Sequence, residues 1–146
     1  MVPMVKRIGD IRVDNDLTQE YMANILGISR SKYSKMEVGI IDFDLLSLNR
    51  FANFFRLNVD YLYGLTDEKI TTFGSEINLK IVGKNIRSIR KKKKLSQELA
   101  CDMIGFKQSS YSRYELGSGL TAYKLYRIAK AYNYSMDAFL NRLKIN

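Results

Sequence analysis

Apolar residues recur at helical spacing in two stretches of the chain, in the same order each time. Met4, Ile8 and Ile11 open the first stretch and Val82, Ile86 and Ile89 the second, which predicts that each begins with an amphipathic helix. Thr18 and Ser96 stand where a second helix needs an N-cap, and that helix runs to about Leu26 and Ile104. Gly27 and Gly105 then end it, because glycine permits the positive φ of a tight turn. Ser29 is placed to cap a third helix reaching about Val38, and Lys107 is a poorer cap at the matching place. Asp44 and Thr121 are candidate caps for a fourth helix, carrying Leu48, Phe51, Ala52 and Phe55 or Leu125, Ile128, Ala129 and Tyr132. Asn58 and Ser135 begin a short fifth.

The two stretches are copies. Arg7 to Gly39 align with Asn85 to Gly117 at a constant offset of 78, with twelve identities and no gap. These include Arg12/Arg90, Gln19/Gln97, Gly27/Gly105, Ser31/Ser109, Tyr33/Tyr111, Ser34/Ser112 and Glu37/Glu115. Beyond Gly117 the offset falls to 77, so that Leu48 aligns with Leu125, Ala52 with Ala129 and Asp60 with Asp137. A gapless match of this density marks a duplicated domain. The expected fold is all-α, with one five-helix domain over 1–66, a connector over 67–80 and a second domain over 81–146. In each domain the second and third helices, joined by a glycine turn, form a helix-turn-helix.

Composition narrows the chemistry. The single proline leaves helices free to run, while one cysteine and no histidine leave no disulfide and no ligand set for structural zinc. Cys101 aligns with Ala23, a place for a small buried residue. No metal or other cofactor is expected, and without histidine or paired acids an enzyme is not expected either. No apolar run reaches the length of a membrane span, and the opening Met-Val-Pro-Met-Val lacks the layout of a signal peptide, so the expected location is the cytoplasm. Charge divides the chain: the first domain is neutral, the connector carries −1 and the second domain +10 of the total +9. A half this basic points to a polyanion, most often nucleic acid.

The strings Leu17-Thr18-Gln19-Glu20, Gly27-Ile28-Ser29, Tyr33-Ser34-Lys35-Met36-Glu37-Val38-Gly39 and Val59-Asp60-Tyr61-Leu62-Tyr63-Gly64-Leu65 resemble the Cro/phage-repressor (XRE) family of lambda-repressor-like helix-turn-helix proteins. The second copy is similar through Leu95-Ser96-Gln97-Glu98, Gly105-Phe106, Tyr111-Ser112-Arg113-Tyr114-Glu115-Leu116-Gly117 and Ser135-Met136-Asp137-Ala138-Phe139-Leu140. The resemblance implies a third helix that lies in the major groove of double-stranded DNA and a second helix whose start faces the phosphate backbone. By that resemblance Gln19 and Gln97 donate to phosphates; the alternative is an ordinary exposed first-turn glutamine. Base-reading positions map to Arg30, Ser31, Ser34 and Lys35 in the first domain and to Gln108, Ser109, Ser112 and Arg113 in the second. Arginine can bond a guanine edge twice and glutamine an adenine edge. The alternative is the polar face of a surface helix. Lys32 and Lys107 suit phosphate better than bases.

Arg12 with Glu37, and Arg90 with Glu115, resemble the family's internal ion pair between first and third helices. Lys93 and Lys94, within the run Lys91 to Lys94, fall between the first helix and Gln97, where either phosphate contact or a solvated helix end accounts for them. The matching stretch Val13-Asp14-Asn15-Asp16 would repel phosphate. Tyr33 and Tyr111 are expected in the cores. Phe51, Phe54, Phe55, Tyr61, Tyr63, Tyr126, Tyr132, Tyr134 and Phe139 are expected mostly in the cores, but two small cores cannot readily hide all of them, so a homodimer or a protein partner through the fourth and fifth helices is a second expectation.

Together these features predict a sequence-specific DNA-binding transcriptional regulator, a repressor, with two reading heads in one chain. The connector could reach about 45 Å if extended or about 20 Å if flexible, enough for both heads to engage one operator as tethered units. Alternatively Ile70, Phe73 and Ile77 hold it against a domain in another geometry. The competing function is an antitoxin-like interaction module, in which the neutral first domain binds a protein and only the second docks on DNA.

Overall fold

The computed structural model describes residues 5–145, and Met4, assigned above to the first helix, lies outside them. The first copy comprises α1 (Lys6–Asp14), α2 (Gln19–Leu26), α3 (Arg30–Glu37), α4 (Leu45–Phe55) and α5 (Val59–Leu62). A short strand β1 (Thr72–Phe73) leads to α6 (Leu79–Lys92), α7 (Gln97–Ile104), α8 (Gln108–Glu115), α9 (Ala122–Tyr132) and α10 (Met136–Phe139), and β2 (Leu143–Lys144) closes the order. The fold is all-α apart from that ribbon, with two helix-turn-helix domains in tandem, α2–α3 and α7–α8.

Local hydrogen bonds explain most helix starts. Thr18 Oγ1 accepts from the Tyr21 amide at 3.0 Å, Ser96 Oγ from Leu99 at 3.1 Å and Ser29 Oγ from Lys32 at 3.1 Å. Asp44 accepts from Ser47 at 3.0 Å, whereas Lys107 provides no side-chain cap. Each such cap contributes about 1 kcal/mol by satisfying an amide the helix cannot. Gly27 and Gly105 sit at φ 71° and 89°, so a side chain at either turn would strain it. Ile8, Met22, Leu26, Tyr33, Leu48 and Phe51 fill the first core, and Ile86, Ala100, Cys101, Tyr111, Leu125 and Ile128 the second. Tyr111 Oη meets Tyr132 Oη at 2.5 Å.

Three helices start on residues of the other copy. Thr121 makes no cap bond; the Tyr123 amide donates to the Asp42 carboxylate at 3.1 and 3.2 Å, and the Ala122 amide to the Phe43 carbonyl at 3.0 Å. Asn58 does not cap α5 either, because its side chain is engaged by the connector at Glu68 and Ile70. The Val59 and Asp60 amides donate instead to the two oxygens of Asp137, at 2.9 and 2.8 Å. Asp60 returns the contact, accepting from the Met136 amide at 2.7 Å and from Ser135 Oγ at 2.5 Å. Equivalent residues that bond each other's helices are the signature of an isologous, two-fold contact, here inside one chain. Tyr63 and Tyr126 also pack across it, with ring centroids 5.9 Å apart. Part of the aromatic surface expected to meet a partner is thus spent between the two copies, although Phe54 and Tyr134 stay exposed.

The connector is bound rather than free. β1 pairs antiparallel with β2, Thr72 opposite Lys144, and Asn49 and Asn53 donate to the carbonyls of Ser75 and Gly74 at 3.0 and 2.8 Å. Arg142, its side chain fully buried, donates to Asp137, Thr72, Asn49, Asn53 and Leu57, so a residue beyond α10 reaches into the first copy. Its pairing with Asp137 and its full set of acceptors offset the cost of removing the guanidinium from water. A flexible-tether geometry is therefore replaced by a docked one. Ile77 packs on the core, Phe73 is exposed, and Leu79 and Lys80 belong to α6.

Candidate nucleic-acid interface

On α3 the side chains of Arg30, Ser31 and Lys35 are exposed and Ser34 is half-buried; on α8 Gln108, Ser109 and Arg113 are exposed and Ser112 is half-buried. The inner faces hold the fully buried Tyr33 and Tyr111, so packing fixes which side of each helix is offered outward. Lys32 Nζ lies 3.3 Å from Asp44, which takes up part of its charge, while Lys107 is exposed. Ser112 Oγ donates to the Ser109 carbonyl at 3.1 Å, and Arg113 reaches Ser118 Oγ at 3.4 Å.

Behind α3 and behind α8 stands a bidentate ion pair. Arg12 Nε and Nη2 donate to Glu37 at 2.8 Å each, and Arg90 Nε and Nη2 to Glu115 at 2.6 and 3.1 Å. Nη1 of each arginine also donates to the carbonyl of Leu17 or Leu95, at 2.7 and 2.8 Å, tying first helix, third helix and the start of the second together. Burial pushes both carboxyls up, but the arginines, Tyr33 or Tyr111, and Gln19 or Gln97 pull them below the usual carboxylate range. The glutamines join this network: Gln19 Nε2 donates to Glu37 at 3.4 Å and Gln97 Nε2 to Glu115 at 2.9 Å. An amide nitrogen carries two hydrogens, so Gln97 is oriented by one and keeps the other.

Lys93 and Lys94 are exposed at the end of α6, where the helix dipole favours cations. Sequence reasoning missed three further cations. Lys80, Lys84 and Arg87 line a cleft of about 420 Å³ together with Arg90, Gln97, Ser112, Glu115 and Leu116. Their spacing of four and three along α6 is readable, but α7 and α8 had to be docked before it made a wall of a cleft. Gly83 allows that docking: a Cβ there would lie 2.5 Å from the Glu115 carbonyl oxygen. The corresponding cleft of the first copy, about 310 Å³, is lined by Val5, Gly9, Asp10, Val13, Asp14, Glu37 and Val38. One cleft is cationic; its counterpart is acidic and apolar.

Among the described residues no helix is long and apolar enough to cross a membrane, and no three potential metal ligands cluster. A model of the helix-turn-helix family matches residues 8–62 and again residues 86–139, and the chain belongs to that family. Among curated proteins it is similar to the SPbeta prophage-derived uncharacterized HTH-type transcriptional regulator YonR of Bacillus subtilis (strain 168), with 33% identity over 57 residues. The match takes in 39% of this chain and 53% of that relative, so the aligned part spans about half the relative's length.

Proposed function

We propose that the chain is a DNA-binding transcriptional regulator, a repressor, that reads the major groove of double-stranded DNA with α3 and α8. The observation that carries this reading is the reciprocal capping of α5 by Asp137 and of α10 by Asp60, which makes one chain the counterpart of a two-fold dimer. A dimeric reader of this kind spans two half-sites about one helical turn, 34 to 36 Å, apart. Here the two heads differ, Arg30 and Lys35 facing one half-site and Gln108 and Arg113 the other, so the preferred operator is an imperfect palindrome. Gln19 and Gln97 set the register on phosphates, with Lys107, Lys93 and Lys94 adding sequence-independent attraction. Occupying such a site excludes other proteins from it, which is repression without catalysis. The protein acts in the cytoplasm, where its DNA is.

The test is selection of bound sequences from a random duplex library with the whole chain. Two unlike half-sites at one fixed spacing support the reading, and failure to enrich any sequence overturns it.

A second reading is favoured by the acidic and apolar cleft of the first copy, where Val13 and Val38 are exposed beside Asp10 and Asp14. In it the first copy meets a protein and the second alone holds DNA. Enrichment of a single half-site by the whole chain would select it.

A further inference from the structure

The face of α6 carries more positive charge than helix stability favours. Lys80, Lys84, Arg87 and Lys91 follow one another at intervals of four, three and four residues, so their side chains form a single row. All four are exposed, and none of them forms an ion pair among the described residues. Like charges at these spacings weaken a helix by about 0.2 to 0.5 kcal/mol per pair, and the helix dipole, which acts within the last turn, offsets this at Lys91 but not at Lys80, Lys84 or Arg87. Lys80, Lys84 and Arg87 of this row form one wall of a cleft completed by Gln97, at the start of α7, by Ser112 and Leu116, on and just after α8, and by the Arg90–Glu115 pair, whose charges cancel. The cleft therefore opens between the cations and the helix expected to read bases.

The first copy lacks this feature. At the places of Lys80, Arg87 and Lys91 its sequence has Val2, Gly9 and Val13, with a lysine, Lys6, only at the place of Lys84, and Asp10 and Asp14 lie beside Gly9 and Val13. The core, the ion pair and the turn are common to both copies, so the row is not a requirement of the fold.

We propose that this cleft seats the sugar-phosphate backbone of DNA next to the half-site read by α8, giving the second copy a backbone grip that the first does not have. The inference rests on the DNA-binding reading above. A linear polyanion fits better than a small free phosphate. Lys80 to Arg87 extend about 10 Å along the helix at 1.5 Å per residue, the axial rise of three nucleotide steps of one strand at about 3.4 Å each. A single compact anion would need donors gathered about one point, and these are spread along about 10 Å of helix. The two copies then do unequal work: the second anchors the chain on backbone, and the first contributes recognition through α3 from a neutral domain.

The test uses the whole chain and the triple variant Lys80→Gln, Lys84→Gln, Arg87→Gln, with thermal unfolding measured first. Removal of like-charge pairs is expected to leave stability equal or higher; if the triple variant unfolds, Lys84→Gln alone is used. Affinity for the selected duplex and for an unrelated duplex is measured across salt. At about 0.9 per phosphate, the slope of log K against log salt is expected to flatten by about 2 to 3 in the triple variant and about 1 in the single one. The triple variant's fall in affinity from about 50 to about 200 mM salt should then be roughly fortyfold smaller than that of the wild type. The loss should be the same on both duplexes, and trimming the duplex outside the α8 half-site should weaken the wild type but not the variant. An unchanged slope, with wild-type binding intact, overturns this inference and leaves the DNA-binding reading standing. Saturable binding of inorganic phosphate that disappears in the variant, with the DNA slope unchanged, also overturns it and assigns the cleft to a free phosphorylated ligand. No binding of any duplex by the wild type overturns the reading and the inference together.

Discussion

Asp60 and Asp137 hold equivalent places in the two copies, and each accepts hydrogen bonds from the backbone at the start of the helix that carries the other. Neither α5 nor α10 is longer than four residues, so neither has the length to hold its own shape in water. Each is completed by a carboxylate from across the interface. The two domains are consequently parts of one interlocked unit, and the distance between α3 and α8 is a property of the fold rather than of a linker.

Loss of either carboxylate should be unequal in its effect. Asp60→Ala removes a cap and should cost about 1 to 2 kcal/mol. Asp137→Ala also leaves Arg142 buried without its counter-charge and should cost about 3 to 5 kcal/mol. Urea unfolding of the whole chain checks both values. The wild type should in addition demand one half-site spacing, and a folded Asp60→Ala variant should tolerate several.

Stability should carry a pH signature at Asp60. Burial raises its carboxyl above the usual value, and the facing charge of Asp137 adds to this, against opposing bonds from Ser135 and Met136. In the unfolded chain aspartate titrates near 3.9, so between there and the raised folded value the native state holds a proton that the unfolded state has lost. This group's contribution therefore falls as pH rises through that window and stays lower above it. Asp60→Asn removes the effect, and its stability relative to wild type should improve as pH is raised from about 4 to about 7. Paired unfolding curves at stepped pH would disprove this if the difference stayed flat.

Glu115 and Glu37 should behave in the opposite sense. Both carboxyls lie below the usual range, so their contribution is complete above the unfolded value, near 4.3, and is lost as pH falls through the depressed folded one. The Arg90–Glu115 side chains are 9% and 3% exposed against 14% and 11% for Arg12–Glu37, so the second pair is the drier. Glu115→Gln should cost about 3 to 5 kcal/mol, and Glu37→Gln less, as read from chemical denaturation at neutral pH.

Base and backbone contacts should separate in binding assays. Arg113→Ala should cost about 1 to 3 kcal/mol on the selected duplex and relax preference at one base pair. Gln97→Ala should weaken all duplexes alike. Competition assays against single-base variants of the operator distinguish the two, and a uniform loss from Arg113→Ala would count against its base-reading role.

The helices, their glycine turns and most of their caps were legible in the sequence, because a cap such as Thr18 on Tyr21 or Ser29 on Lys32 joins residues only three apart. The duplication carried the same signal twice, and the periodicity of Ile8 and Ile86 or of Tyr33 and Tyr111 named the buried faces. The candidate base-reading positions of α3 and α8 came from the family resemblance, and they lie opposite the buried Tyr33 and Tyr111. What failed were the readings whose partners are remote. Thr121 looks like a cap locally, yet α9 bonds to Asp42, 81 residues away, and α5, though it starts after Asn58 as expected, bonds to Asp137, 78 residues away. Arg142 reads as one more surface cation until the chain folds it onto Asn49, 93 positions earlier. Lys80, Lys84 and Arg87 were visible as a row, but the cleft they line exists only once Gly83 lets α6 lie against the end of α8. Sequence alone determined the local hydrogen bonds and the apolar faces, since both are set within a few turns of the chain. Tertiary structure decided the two-fold lock, the fate of the connector and the contrast between the two clefts, since each depends on which backbone amides and charges remain unsatisfied until the second copy meets the first.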